Sequence, residues 1–256
     1  MISIPQLLSG KTIKLKNVGT LVPPTLGKIF DCIGDTDVSD RYLIYVNILR
    51  IDLKTFLKIS KLQTYCDGLN NKQKNRHTLY KFLITEKSLR DVLLECFSFF
   101  IAETVVFDEI KCEFHIVEDG QIMGKINEEN FDLVRFNILR MNCISAQEIK
   151  PLKFKNEKAR KIYEQSQKGK AKLEKAKQQN NLDDKYKLEN LVAYVATKSS
   201  SYNFDNIWDL TIYQFQEIFH RLNLYNQMDA YTSRWSTWGK ESFDYSSWYS
   251  DIKILK

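Results

Sequence analysis

The chain has 256 residues, 43% of them hydrophobic and 27% charged, and a formal net charge of +6. That length suffices for one large core or two smaller ones, and the composition is that of an ordinary globular protein, which excludes disorder throughout. Nine glycines and four prolines fall well below the average usage of about 7% and 5%. Few tight turns can be built, and helix is the expected main element.

In chain order, residues 12–18 alternate apolar and polar with period two, which predicts an edge strand with its lysines on the wet face. Pro23 and Pro24 end it, and Thr25 is placed to cap a helix from Leu26 to about Ile33, broken by Gly34. Tyr42, Tyr45, Val46 and Leu49 fall at i, i+3, i+4 and i+7 and predict a helix starting at Ser39 or Asp40. A third helix is expected from Leu53 to about Ser60, followed by a polar loop over 67–76.

Between Thr78 and Ala102 the chain is dense in Leu and Phe, and Leu93, Phe97 and Phe100 form a stripe on a helix predicted to begin near Ser88. Next come two alternating runs, Val105 to Phe107 and Lys111 to Val117. Glu118-Asp119-Gly120 then leads into Gln121 to Ile126, and Asp-Gly between such runs is a strong hairpin sign. Asn127 is expected to cap a helix with Phe131, Val134, Ile138 and Met141 on one face.

From Lys153 to Lys177 ten cationic side chains stand against three glutamates, a surplus larger than that of the whole chain. The stretch is followed by Gln178-Gln179-Asn180-Asn181, which reads as a solvated break. The expected organisation is an α+β domain over 1–150, a basic helical linker or arm over 151–185, and a helical domain with an aromatic tail over 186–256. The fold class is α+β, predominantly α-helical, with a small antiparallel hairpin sheet. Beyond the break, a helix is predicted around Leu188 to Thr197, then a turn at Ser199 to Ser201.

Thr211 and Gln214 have capping-box spacing, so a helix should start at Ile212, with Ile212, Phe215, Phe219 and Leu222 on its apolar stripe and Ile218 beside it. Gln214, Glu217 and Arg221 should face away. Ile207, Trp208 and Leu210 precede the cap and are placed to fold back as a hydrophobic staple.

Little in the sequence carries catalytic chemistry. A phosphate cradle needs glycines in G-x-G-x-x-G or G-x-x-x-x-G-K-[ST] order, and neither occurs. No G-x-S-x-G elbow is found. His77, His115 and His220 are far apart, so no zinc site is suggested, and Glu128-Glu129 fits a first helical turn without further purpose. No cofactor, metal or catalytic residue is expected. Cys112 and His115, three apart in a predicted strand, point to opposite faces and read as a core thiol and a surface imidazole. The five cysteines are unpaired in pattern, without C-x-x-C, which suits buried thiols in a reducing compartment. Met1-Ile-Ser-Ile-Pro lacks the charged region and apolar run of a secretory signal, and no apolar segment is long enough to span a bilayer.

Two surfaces remain as candidates for binding. Lys168, Lys170, Lys172, Lys175 and Lys177 are the candidate phosphate contacts if the basic segment meets nucleic acid, but only Phe154 and Tyr163 interrupt the charges, too few for a stacking platform. The other is the aromatic tail. Tyr231, Trp235, Trp238, Trp248 and Tyr249 cluster near the end, with three of the four tryptophans in the last 22 residues. Each large aromatic buries about 150–250 Å², and a terminal segment seldom has enough partner surface of its own to cover so many. These residues, with Trp208 as a supporting wedge, are the expected protein-interface anchors, the alternative being a C-terminal cap packed on its own domain.

Three segments, "LVPPTLGKIFDCIGDTDVSDRYLIYVNIL", "INEENFDLVRFNILRMNCI" and "NIWDLTIYQFQEIFHRLN" with the following "SRWSTWG", resemble a family of tail and baseplate morphogenesis proteins of tailed bacteriophages of Gram-positive hosts. The resemblance implies a non-enzymatic virion component of the tail or baseplate, present in the host cytoplasm during assembly and in the particle afterwards. It also admits an assembly chaperone not retained in the virion. Partners would be other tail or baseplate proteins in a multi-copy assembly. Nucleic acid bound through 153–177 is the alternative from another class, and no membrane partner is implied.

Overall fold

A computed structural model of the chain describes residues 2–32, 41–60, 78–144 and 187–238. The fold is mixed α+β and mostly helical, with one two-stranded and one three-stranded antiparallel sheet. The basic segment 153–177, the 67–76 loop, Gly34, Cys66, Trp248 and Tyr249 lie outside the described residues. Two compact units are formed. The first takes the described residues up to 144 together with Trp208–Glu217, and the second takes 187–207 and 218–238.

The first unit opens on helix α1, Ile4–Ser9, which the sequence reading did not anticipate. It is fixed locally: the Ser3 backbone N–H donates to Gln6 Oε1 at 2.9 Å, and Gly10, at φ 65, closes the end by donating to the Leu7 carbonyl. Strand β1, Ile13–Leu15, is the alternating run, and it pairs with a second short strand β2, Gly19–Leu21, around a turn with Asn17 at φ 60. The expected lone edge strand is therefore half of a hairpin. Its second strand is joined in turn by the chain near 101, where Val22 N–H donates to Phe100 O and Ala102 N–H to Thr20 O.

Helix α2, Leu26–Phe30, starts where predicted, with the Lys28 N–H donating to Thr25 Oγ1 at 3.2 Å. Helix α3, Arg41–Arg50, buries Tyr42, Tyr45, Val46 and Leu49, the four residues of the predicted stripe. Asp52 caps α4, Leu53–Ile59, by accepting from Thr55 N–H. Helix α5, Leu79–Thr85, and helix α6, Lys87–Phe100, are separated only by extended Glu86. Leu93, Phe97 and Phe100 of α6 are fully enclosed.

Three strands follow, β3 at Thr104–Asp108, β4 at Glu113–Glu118 and β5 at Gln121–Ile126, paired antiparallel in that order. Asp119 and Gly120 join the last two with φ 50 and 75, the positive pair that a two-residue hairpin turn requires. Helix α7, Phe131–Met141, buries Phe131, Val134, Ile138 and Met141 as predicted. Its start differs from expectation. Asn127 Oδ1 accepts from Glu129 N–H and the Asn127 N–H donates to Asn130 Oδ1, so a turn intervenes and Asn130 occupies the capping position.

The core is aromatic and continuous. Phe114 of β4 meets Phe97 edge-on at 5.1 Å and Phe107 at 4.8 Å, while Tyr80 of α5 meets Phe131 at 5.2 Å. The Tyr80 hydroxyl, inside this layer, donates to the carbonyls of Cys112 and Ile126, and burial pushes its pKa up. At one edge Lys28 Nζ donates to Phe99 O at 2.6 Å and lies 4.4 Å from the Phe99 ring, so a cation neutralises the C-terminal carbonyls of α6.

In the second unit, helix α8, Leu188–Lys198, buries Val192, Val195 and Ala196. Its Tyr194 packs edge-on against Phe219 at 5.7 Å, donates to Asn223 Oδ1 at 3.3 Å and accepts from Asn226 Nδ2 at 2.5 Å. Phe219, Asn223 and Asn226 belong to helix α9, Ile212–Trp238, a single run of 27 residues, the longest element described.

Candidate interaction surface

Thr211 and Gln214 start α9 by mutual capping: the Gln214 N–H donates to Thr211 Oγ1 at 3.2 Å, and the Thr211 N–H donates to Gln214 Oε1 at 3.0 Å. The Gln214 amide also reaches back, Nε2 donating to the Leu8 carbonyl at 2.9 Å. Gln214 is thus half-buried rather than turned away, as is Glu217, whereas Arg221 is exposed as expected. Ile212 and Phe215 are buried, and Phe219 and Leu222 are half-buried. Leu210 and Ile207 are buried before the cap, and Trp208 meets Phe30 edge-on at 5.3 Å. The structure therefore sets Trp208, one of the expected interface anchors, half-buried in the first unit.

The later turns of α9 have a different character. Met228 is 5% exposed, but every residue from 229 to 238 is exposed, and among them Tyr231 is 57%, Trp235 47% and Trp238 72% exposed; Tyr225, one turn earlier than Met228, is 58% exposed. Tryptophan and tyrosine carry large apolar ring surfaces, and leaving such surface in water is unfavourable by about 25 cal/mol per Å². Leu224, Met228, Tyr231, Trp235 and Trp238 follow one another at intervals of 4, 3, 4 and 3 residues. That spacing averages 3.5 and keeps all five on one narrow face of the helix. The sequence reading assigns no element to the aromatic tail; the regular spacing is the sequence signal that α9 runs on to Trp238.

A second, mixed surface lies on the outer face of the three-stranded sheet, where strand alternation leaves Val106 exposed and the register shift opposite Ile116 and Val117 leaves both Ile122 and Met123 exposed. Beside them Glu113 accepts from His115 Nε2 at 2.9 Å and from Lys125 Nζ at 3.0 Å, with Asp108 3.8 Å from His115. The His115 bond first, then that of Lys125, holds the Glu113 carboxyl below its ordinary value. This arrangement corrects the reading of Cys112 as a core thiol and His115 as a surface imidazole. The Asp108 carboxylate accepts from the N–H groups of Ile110 and Lys111, so the chain turns there instead of extending, and Cys112, at φ 53, is exposed. The His115 side chain is only 12% exposed.

Buried thiols are found in part. Cys96 is enclosed in the core, where burial pushes its pKa up, and Cys143 is pushed to about 12 by burial, aided by Glu217. Cys32 is half-buried. Among the described residues no group of three His, Cys, Asp or Glu side chains could hold a metal ion, and no helix is long and apolar enough to cross a membrane. The candidate phosphate contacts Lys168, Lys170, Lys172, Lys175 and Lys177 fall outside the described residues.

Comparison with known proteins meets the chain at this surface. Residues 175–253 match the family model described as the YomV second domain, a phage-derived family of Bacillus prophage origin. The match covers less than a third of the chain and includes the exposed Tyr231, Trp235 and Trp238 of α9. The chain is in this region similar to a phage-associated domain. No curated protein and no solved structure matches.

Proposed function

We propose that the protein is a non-enzymatic component of a phage particle, built into the tail or baseplate, and that it holds its place there by protein contacts made through the later turns of α9. The single observation that carries this reading is the exposure of Tyr231, Trp235 and Trp238 on one helical face within the phage-associated region. Tryptophan and tyrosine supply large contact areas at low entropic cost and dominate the energetics of interfaces where they are desolvated. Assembly would take place in the host cytoplasm, which suits the free thiols of Cys96, Cys112 and Cys143.

Replacing Trp235 and Trp238 together by alanine tests the proposal. The expected result is loss of the protein from purified particles, with the helical circular dichroism of the isolated chain kept. Particles that retain the doubly substituted protein at wild-type copy number would refute the reading, and so would wild-type particles that lack the protein altogether, the outcome an assembly chaperone gives.

A further inference from the structure

We infer that the outer edge of β3 is a self-association site, at which the same strand of a second copy pairs antiparallel and joins the two three-stranded sheets into one. This contact is separate from those assigned to α9 and uses none of its residues.

The two edges of the sheet, whose strands lie in the order β3-β4-β5, are built differently. An edge strand carries main-chain N–H and C=O groups that can pair with another chain, and proteins guard such edges with bulges, lysines or a covering segment. The β5 edge has all three: a register shift that leaves Met123 without a partner on β4, the charge of Lys125, and the β1–β2 turn, whose Asn17 carbonyl accepts from the Lys125 N–H at 3.1 Å. Strand β3 has none of them. Its residues Thr104–Asp108 include no proline, glycine or lysine and pair with β4 in unbroken register. Among the described residues no main-chain bond outside that ladder involves them. Thr104 is exposed and Val106 is 49% exposed.

Strand β3 is also complementary to itself. A two-fold axis at Val106 sets that side chain opposite its own copy and Thr104 opposite Asp108, so at each end a hydroxyl donor meets a carboxylate. On the other face Val105 meets Phe107 of the second copy. Parallel pairing would instead bring two Asp108 carboxylates side by side. The carboxylates just beyond the strand are already engaged, since Glu103 accepts from the Thr20 N–H at 2.9 Å and Glu109 lies 3.4 Å from Arg90 Nη2.

The contact is small. Opposed residues of an antiparallel ladder exchange both bonds at every second position, which gives about four to six main-chain bonds over this length. Such an interface belongs to the class under about 1,200 Å², and the dimer is accordingly weak and concentration-dependent.

Sedimentation equilibrium of the full chain over a micromolar range tests this, with Val106→Lys, Val106→Glu and their equimolar mixture as samples and Ile122→Lys on the guarded edge as control. A reversible dimer is expected for the parent. Either charge at position 106 should weaken it about tenfold or more, because the axis opposes like charges. Mixing the two variants should restore a dimer, and the control should be unaltered. The amides of 104–108 should exchange more slowly as concentration rises, while those of 121–123 should not. Helical circular dichroism should be the same in all. The inference is overturned by a chain that stays monomeric at every concentration, by a dimer that survives both charges, or by charge variants that remain monomeric when mixed. The Trp235→Ala, Trp238→Ala double variant should dimerise as the parent does; a dimer lost there would move the contact to α9 and refute its assignment to β3.

Discussion

Arg135 and Ile51 are joined across the first unit by a bond from guanidinium Nη1 to the Ile51 carbonyl at 2.8 Å. Arg135 is 8% exposed, stacks over Phe136 at 4.8 Å, and has Nε 3.3 Å from Asp132 Oδ1 without hydrogen-bond alignment. Burial lowers its pKa, with the charges of Asp132 and Asp52 opposing that shift. Arg135 thus ties α7 to the connection between α3 and α4.

Arg135→Ala removes this tie, leaves the Ile51 carbonyl unsatisfied and opens space beside Phe136. A loss of about 3 kcal/mol is expected in urea unfolding. Arg135→Met keeps the packing against the rings and should recover part of it. A methionine variant as unstable as the alanine would assign the whole effect to the hydrogen bond.

How far the sequence revealed these features depends on the range of the interactions that set them. Thr211 and Gln214 satisfy each other three residues apart, and the helix they start was legible from spacing alone. The Asp119-Gly120 turn and the buried faces of α3, α6 and α7 were legible for the same reason. Cys112 was misread because a carboxylate four residues earlier competes with the strand ladder, which alternation does not report. The later turns of α9 were half legible: their aromatic content was evident, but their helical continuity required reading the 3.5 spacing past Leu222.

Gly124 is a position whose identity only tertiary structure explains. A Cβ there would lie 2.3 Å from the Val18 carbonyl oxygen, where the β1–β2 turn presses on β5 and the Lys125 N–H donates to Asn17 O at 3.1 Å. The obstacle is backbone on both sides and neither side can yield without breaking a ladder. Gly124→Ala should cost about 3 kcal/mol, whereas Gly120→Ala meets no atom within 4 Å and acts only through its φ of 75. Thermal unfolding of both variants separates a steric from a conformational penalty, and Gly124→Ala as stable as the parent would contradict the close approach.

Acid should weaken the first unit through Glu113. Its carboxyl is held below the ordinary glutamate value, chiefly by the bond from His115 and then by that from Lys125. A carboxyl with a depressed folded-state pKa contributes stability above its unfolded value of about 4.3, and that contribution disappears as pH falls through the lowered one. Asp108, depressed first by the Lys111 N–H and further by Ile110 and His115, adds to the same acid limb. Unfolding free energy followed from neutral pH downward should therefore decline below the ordinary carboxylate range, and Glu113→Gln should flatten that decline by removing the titrating group while keeping an acceptor for the Lys125 ammonium. Because the Lys125 side chain is 50% exposed and the His115 side chain 12%, salt should screen the lysine's share and spare most of the histidine's. An acid limb unchanged in Glu113→Gln would remove this carboxylate from the account and leave Asp108 and Glu128, whose carboxyl is depressed chiefly by Lys81, as its source.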